Sequence, residues 1–237
     1  MLEPKLLESD IKARLINHLH KKGRLNSDSV VISELTICDF SRRVDLVVAD
    51  QNGLTAYEVK SASDNLNRLA GQVDDYLKHF DKVIVVADTK HIQSALQTTP
   101  SHVGIIEISS DNFIVRRRGL KTKVSNKLSL ISFLTTSEIS KLLPVNIKAA
   151  NRIIQRDEVL KNTSIKRLRA EAYNYLHRKF ESTSHQLLEK LDSGNNITAQ
   201  DIDELSIYIP ERRLKEQKRA QKSQLWNDWA DELSLTA

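Results

Sequence analysis

The sequence predicts a mixed α/β core in the order helix, three strands, helix, strand, followed by an all-helical C-terminal region. Three observations carry this expectation. Val30–Ile37, Val44–Ala49 and Leu54–Lys60 are β-branched, strand-like runs separated by turn residues. Lys82–Ala87 is a short, nearly all-apolar run of the kind buried on both faces of a sheet. From Thr136 onward apolar residues recur at helical spacing, and the breaks fall at Pro144, at 192–196 (Asp-Ser-Gly-Asn-Asn) and at Pro210. The mixed sheet and the helical region suggest two domains, residues 1–135 and 136–237.

Residues 4–20 place Leu7, Ile11, Leu15 and Leu19 on one stripe, with Pro4 in the first turn and Gly23 at the stop, which describes an amphipathic helix. Residues 39–42 form a turn between the first two strands, and Asp50-Gln51-Asn52-Gly53 joins the second to the third, with Gly53 suited to positive φ. Ser61, Ser63 and Asp64 offer N-caps for a helix running to about His79 with Leu66, Leu69, Ala70, Val73, Leu77 and Phe80 buried. A helix over 91–97 and strands at 103–108 and 113–116 complete the core. Helices are then expected at 137–143, 145–155, 165–180, 185–191, 199–205 and 211–233.

With 40% hydrophobic and 28% charged residues in 237, the chain can bury a sizeable core. No run approaches the roughly 20 apolar residues of a membrane span, and residues 1–10 lack a signal-peptide pattern, so the expected compartment is the cytoplasm without membrane association. The single cysteine, Cys38, excludes an intrachain disulfide and a multi-cysteine zinc site. Residues 1–115 hold 13 Lys+Arg against 16 Asp+Glu, and residues 116–237 hold 23 against 15, so a polyanion would be approached mainly by the second half.

Three ionisable residues stand inside apolar strands: Asp45, Glu58 and Lys60. Unpaired, each would cost several kcal/mol or shift its pKa, so something compensates them. If Gln51-Asn52 form the loop, Asp45 faces Glu58; if Asn52-Gly53 form it, Asp45 faces Lys60. Either register puts all three on one face, whereas a three-residue loop would not. Two carboxylates about 5 Å apart call for a cation, and hard oxygen ligands favour Mg²⁺ or Mn²⁺. With a lysine beside them, the set suits phosphodiester hydrolysis. The plainer reading is a buried structural ion pair.

Asp45, the hairpin and Glu58-Val59-Lys60 resemble the PD-(D/E)xK motif of the restriction-endonuclease-like nuclease superfamily, and the expected element order is similar to that family's core. Gln72-Val73-Asp74-Asp75-Tyr76 resembles the Q-x-x-x-Y motif of its RecB-like members, with Gln72 and Tyr76 on one side of the helix. The resemblance covers about residues 5–90, and Val44 stands where the motif has proline. It implies a metal-dependent nuclease acting on DNA, with Mg²⁺ or Mn²⁺ held by Asp45, Glu58 and the Val59 carbonyl. Lys60 is then catalytic, Gln72 places water or phosphate, and Glu34 is the candidate for a further upstream carboxylate. Tyr76 is a supporting residue or simply a core aromatic. The rival is a catalytically inactive nuclease-fold module that binds nucleic acid or protein.

Basic residues that could meet a nucleic-acid backbone are Arg42 and Arg43 before the active strand, and Arg116, Arg117, Arg118 and Lys121 near a strand end. Arg212, Lys215, Arg219 and Lys222 form a stripe on the last helix, and Lys166, Arg167 and Arg169 are further candidates. Leu225, Trp226, Trp229 and Leu233 are expected to dock against the helical region or to serve a protein partner or a second copy.

Overall fold

A computed structural model describes residues 6–38, 41–51, 53–109, 112–148 and 151–205. Pro4, the stripe at 212–222 and the tryptophans lie outside these residues. The elements are α1 (Glu8–Lys21), β1 (Val30–Ile37), β2 (Arg42–Asp50), β3 (Gly53–Lys60), α2 (Leu69–His79), β4 (Lys82–Asp88), α3 (Ile92–Thr98), β5 (Gly104–Ser109) and β6 (Asn112–Arg117). Then follow α4 (Lys127–Ser132), α5 (Thr136–Lys141), α6 (Arg152–Asn162), α7 (Ile165–Asp192) and α8 (Ala199–Glu204). The fold is the expected mixed α/β core with a helical C-terminal region, and no described helix is long and apolar enough to cross a membrane.

The six strands pair in sequence order. β1, β2 and β3 form an antiparallel meander, β3, β4 and β5 run parallel, and β6 returns antiparallel. A core cluster lies on each face. One packs alternate strand residues such as Val47, Ala56 and Val85 against Val73 and Tyr76 of α2 and Leu168, Ala172 and Leu176 of α7. The other packs Leu46, Val48, Tyr57 and Val59 against Ile11, Leu15 and Ile16 of α1 and Leu187 and Leu188 of α7.

One helix therefore serves both faces. α7 runs unbroken for 28 residues, where a break was expected after Phe180. The Ser-Thr-Ser stretch at 182–184 looks unfavourable for a helix interior, but tertiary bonds override it: Ser184 Oγ accepts from Val31 N at 2.9 Å and meets Val31 O at 3.1 Å. The helix thereby satisfies an outer-edge peptide of β1.

Other boundaries moved for local reasons. α2 begins at Leu69 because Ser61–Asp64 closes on itself, with Asp64 Oδ2 accepting from both Ser61 N and Ser61 Oγ at 2.7 Å. Within the expected helix at 145–155, the described residues form a 3₁₀ turn at Val145–Ile147 and then the first turn of α6, which starts afresh at Arg152 behind the Asn151 cap. The short helix α4, capped by Asn126, was not foreseen.

Asp81 ties the halves of the chain together. Its buried carboxylate accepts from Leu54 N at 2.9 Å, from Val124 N at 3.0 Å, and from Arg169 and the Tyr173 hydroxyl of α7. Gly53 lies against it at φ +127°, and a Cβ there would stand 2.2 Å from Asp81 Oδ2, so only glycine fits.

Candidate active site

The turn sets the register. Asp50 pairs with Gly53 and Leu46 with Tyr57, the pairing expected for a Gln51-Asn52 loop. Beyond Leu46 the two strands diverge, and Asp45 turns its Oδ2 onto the backbone N–H of Val59 at 2.7 Å. At the same level β1 is distorted: Glu34 has φ +61°, a strained conformation for a residue with a long side chain. Regular alternation slips here in both strands. Val30 and Ile32 share one core cluster with Leu35 and Ile37, and Val44 shares it with Val47. Glu34 and Asp45 thus sit where the strands change face.

Two groups of side chains meet at this point. On the α2 side, Glu58 is fully buried. Its Oε1 receives Lys60 Nζ at 2.6 Å, and its Oε2 lies 2.7 Å from the Tyr76 hydroxyl. That hydroxyl is also 2.9 Å from the Arg43 carbonyl oxygen, so its single proton serves one acceptor or the other. Gln72 Oε1 takes a longer bond from Lys60 Nζ at 3.3 Å. Burial, followed by the charges of Glu58 and Asp45, holds the Tyr76 hydroxyl far above its ordinary pKa, so it acts as a neutral donor.

On the α1 side, Lys12 is only 3% exposed. Its Nζ lies 2.6 Å from Glu8 Oε1 and also bonds Glu34. Arg43 Nε reaches the other Glu34 oxygen at 2.6 Å. Glu8, Glu34 and Asp45 each bring one carboxylate oxygen to within 4.8 Å of the others. Burial, then repulsion from Glu58, raises the Asp45 pKa well above the usual carboxylate range, although Lys12 and the Val59 N–H pull the other way. Burial alone would lower the Lys12 pKa, but Asp45, Glu8 and Glu34 together raise it.

Beside this trio opens a cavity of about 420 Å³ lined by residues including Glu8, Lys12, Ser33, Glu34, Ser61 and Asp64. Ser33 Oγ is buried and has no hydrogen-bond partner among the described residues.

The residues singled out in the sequence are thus distributed rather than fused into one cage. Glu58, Lys60, Gln72 and Tyr76 form one connected set, Glu34 joins Lys12 and Arg43, and Asp45 stands between, joined to Val59. Sequence reading missed Lys12 and Glu8. A signal existed in Lys12, which follows Ile11 on the buried side of an otherwise amphipathic helix.

Several basic candidates are engaged structurally. Arg42 pairs with Asp75 at 2.7 Å, and Arg116 with Glu107 at 2.5 Å. Arg117 donates to the carbonyls of Val103, Leu96 and Thr99, and Arg169 turns inward to Asp81. Arg118, Lys121 and Lys123 are exposed. Lys121 and Arg24, after burial, depress the Lys82 pKa, so these three cations lie near one another. Lys82 pairs with Thr55 near the start of β3 and Val85 pairs with Glu58, so this basic group is roughly 10 Å along the strand from the Glu58 carboxylate.

Comparison with known proteins adds lineage. Residues 1–206 match the family model described as Bacteriophage P4 protein cII. Protein cII of Enterobacteria phage P4 is 33% identical over 208 residues, covering 85% of this chain and 78% of that protein. A solved protein of unknown function from Silicibacter pomeroyi has a TM-score of 0.40 at 15% identity, covering 66% of this chain and 93% of its own. The chain belongs to the bacteriophage P4 protein cII family.

Proposed function

We propose that the protein is a Mg²⁺- or Mn²⁺-dependent nuclease that hydrolyses phosphodiester bonds in DNA, a reading that extends to membership in the restriction-endonuclease-like superfamily. The observation that carries it is the buried Glu58–Lys60 pair with Gln72 on the lysine, placed beside Asp45 where β2 and β3 part. The donor set suits a hard cation: Asp45, Glu34 and Glu8 offer carboxylate oxygens, and Glu58 raises the negative potential behind them. Four carboxylates, Glu8, Glu34, Asp45 and Glu58, are matched by three cations, Lys12, Lys60 and Arg43, which leaves one negative charge for a ligand or a proton to neutralise.

When bound, the cation would supply Lewis-acid activation of water and charge neutralisation at phosphate. Lys60, two of whose three donors go to Glu58 and Gln72, keeps the third for a phosphate oxygen or the attacking water. Gln72 restrains the same ammonium, and the neutral Tyr76 hydroxyl orients Glu58. Arg118 and Lys121 are proposed to touch the nucleic-acid backbone away from the chemistry.

The test is digestion of single-stranded, duplex, branched and RNA substrates with Mg²⁺ or Mn²⁺, beside Glu58→Gln and a chelator control. Cleavage that needs metal and vanishes in Glu58→Gln supports the reading; cleavage surviving in chelator sinks it. One observation favours the rival, a catalytically inactive binding module: Lys60 and Lys12 already satisfy Glu58 and Glu34 without any metal. Tight DNA association with no heat of Mn²⁺ binding would favour that module.

A further inference from the structure

We propose that Lys12 is a positioning residue for the cation site: its ammonium holds Glu8, Glu34 and Asp45 together in the metal-free protein and withdraws into the neighbouring cavity when a divalent cation enters. The inference rests on the metal-dependent reading of the site. It goes further in naming what occupies the cation position beforehand and where that group goes.

Lys12 is almost wholly buried among acids, bonded to Glu8 at 2.6 Å and to Glu34, and electrostatically close to Asp45. The trio's oxygens lie within 4.8 Å of one another, whereas ligands around Mg²⁺ sit about 2.1 Å from the metal, so the carboxylates must draw in as the ion binds. An ammonium and a dication cannot share that space without strong repulsion.

The cavity of about 420 Å³ gives Lys12 somewhere to go, because Lys12 itself lines its wall together with Ser33, Ser61, Ser63 and Asp64. Ser33 stands in that wall, and its buried Oγ, which has no hydrogen-bond partner among the described residues, is an acceptor that a small side-chain adjustment would offer. A four-carbon stem with freely rotating donors suits such an exchange, as a planar guanidinium would not. The outcome is a site whose negative charge is largely offset beforehand and that selects for cations able to displace a lysine.

The experiment is calorimetric titration of the wild type, Lys12→Met and Asp45→Asn with Mn²⁺ alone, coupled to acetylation of Lys12 read by mass spectrometry. Lys12→Met should bind Mn²⁺ on the order of tenfold more tightly than wild type. In the wild type, Lys12 should acetylate faster as Mn²⁺ is added. Equal Mn²⁺ affinity in folded wild type and Lys12→Met overturns the inference about Lys12 alone. No Mn²⁺ binding by either folded protein, or wild-type affinity in Asp45→Asn, overturns the metal reading and this inference with it. If Lys12→Met folds only once Mn²⁺ is present, the inference is supported. If it does not fold at all, a Lys12 acetylation rate in wild type that stays flat across the titration overturns it.

Discussion

Asp81, buried just ahead of β4, and Asp45, half-buried in β2, are two aspartates packed at one sheet and treated in opposite ways. Asp81 is supplied by two backbone N–H groups, an arginine and a tyrosine hydroxyl, and its side chain is fully buried. Asp45 receives the N–H of Val59 and stands among carboxylates with the Lys12 ammonium close by, its pKa driven up by burial and by Glu58. A carboxylate whose acceptors are saturated holds elements together. A carboxylate left short of donors among other carboxylates is poised for a cation or a proton.

The sharpest way to break the comparison is Asp81→Ala. It leaves Arg169 without its acid and four donors without their acceptor, and it should cost about 3–5 kcal/mol in urea unfolding. A loss near that of an exposed ion pair would show that the hub is ornamental. Lys60→Ala comes next, expected to lower cleavage roughly 10²–10³-fold, since one preorganised charge at developing negative charge is lost. Circular dichroism must show the fold retained, and a variant that folds and cleaves normally would remove Lys60 from the chemistry.

Gly53→Ala probes the hub from the backbone side, and a loss of about 1–3 kcal/mol is expected from strain against Asp81. Asp45→Asn should behave in the opposite sense. Because the folded pKa of Asp45 is raised, its contribution to stability is complete below the unfolded value of about 3.9 and is lost as pH rises through the folded value. Metal-free Asp45→Asn should lack that loss and match or exceed the wild type at neutral pH in urea titrations run from pH 4 to 8. A variant less stable at every pH would assign Asp45 the structural role given to Asp81. The smallest effect belongs to Arg42–Asp75, a partly exposed pair whose disruption by Asp75→Asn should cost no more than about 1 kcal/mol.

What the sequence disclosed follows from the range of the forces involved. Strand runs such as Val30–Ile37 and Lys82–Ala87 and the tight turn before Gly53 are written in local residue chemistry and were legible, whereas two registers stayed open until the Asp50–Gly53 pairing decided between them. That Glu58 and Lys60 share a face was legible from strand alternation, and Gln72 was expected beside them from the family resemblance. Lys12 was not, because its partners Glu34 and Asp45 reach it only through the packing of α1 on the sheet. Nor was the unbroken α7, whose serines read as a break until Val31 is placed against Ser184. Asp81 carried no local signal, since Arg169 and Tyr173 lie about ninety positions away.

The reach of α7 has a consequence for how the chain is made. The peptide groups of Val31 are closed by Ser184, more than 150 residues downstream. During synthesis the meander can assemble long before that helix emerges, so an apolar sheet with an open border must wait for its cover. A fragment ending at residue 135 would carry that border permanently and should self-associate, where a chain extended to residue 205 should not.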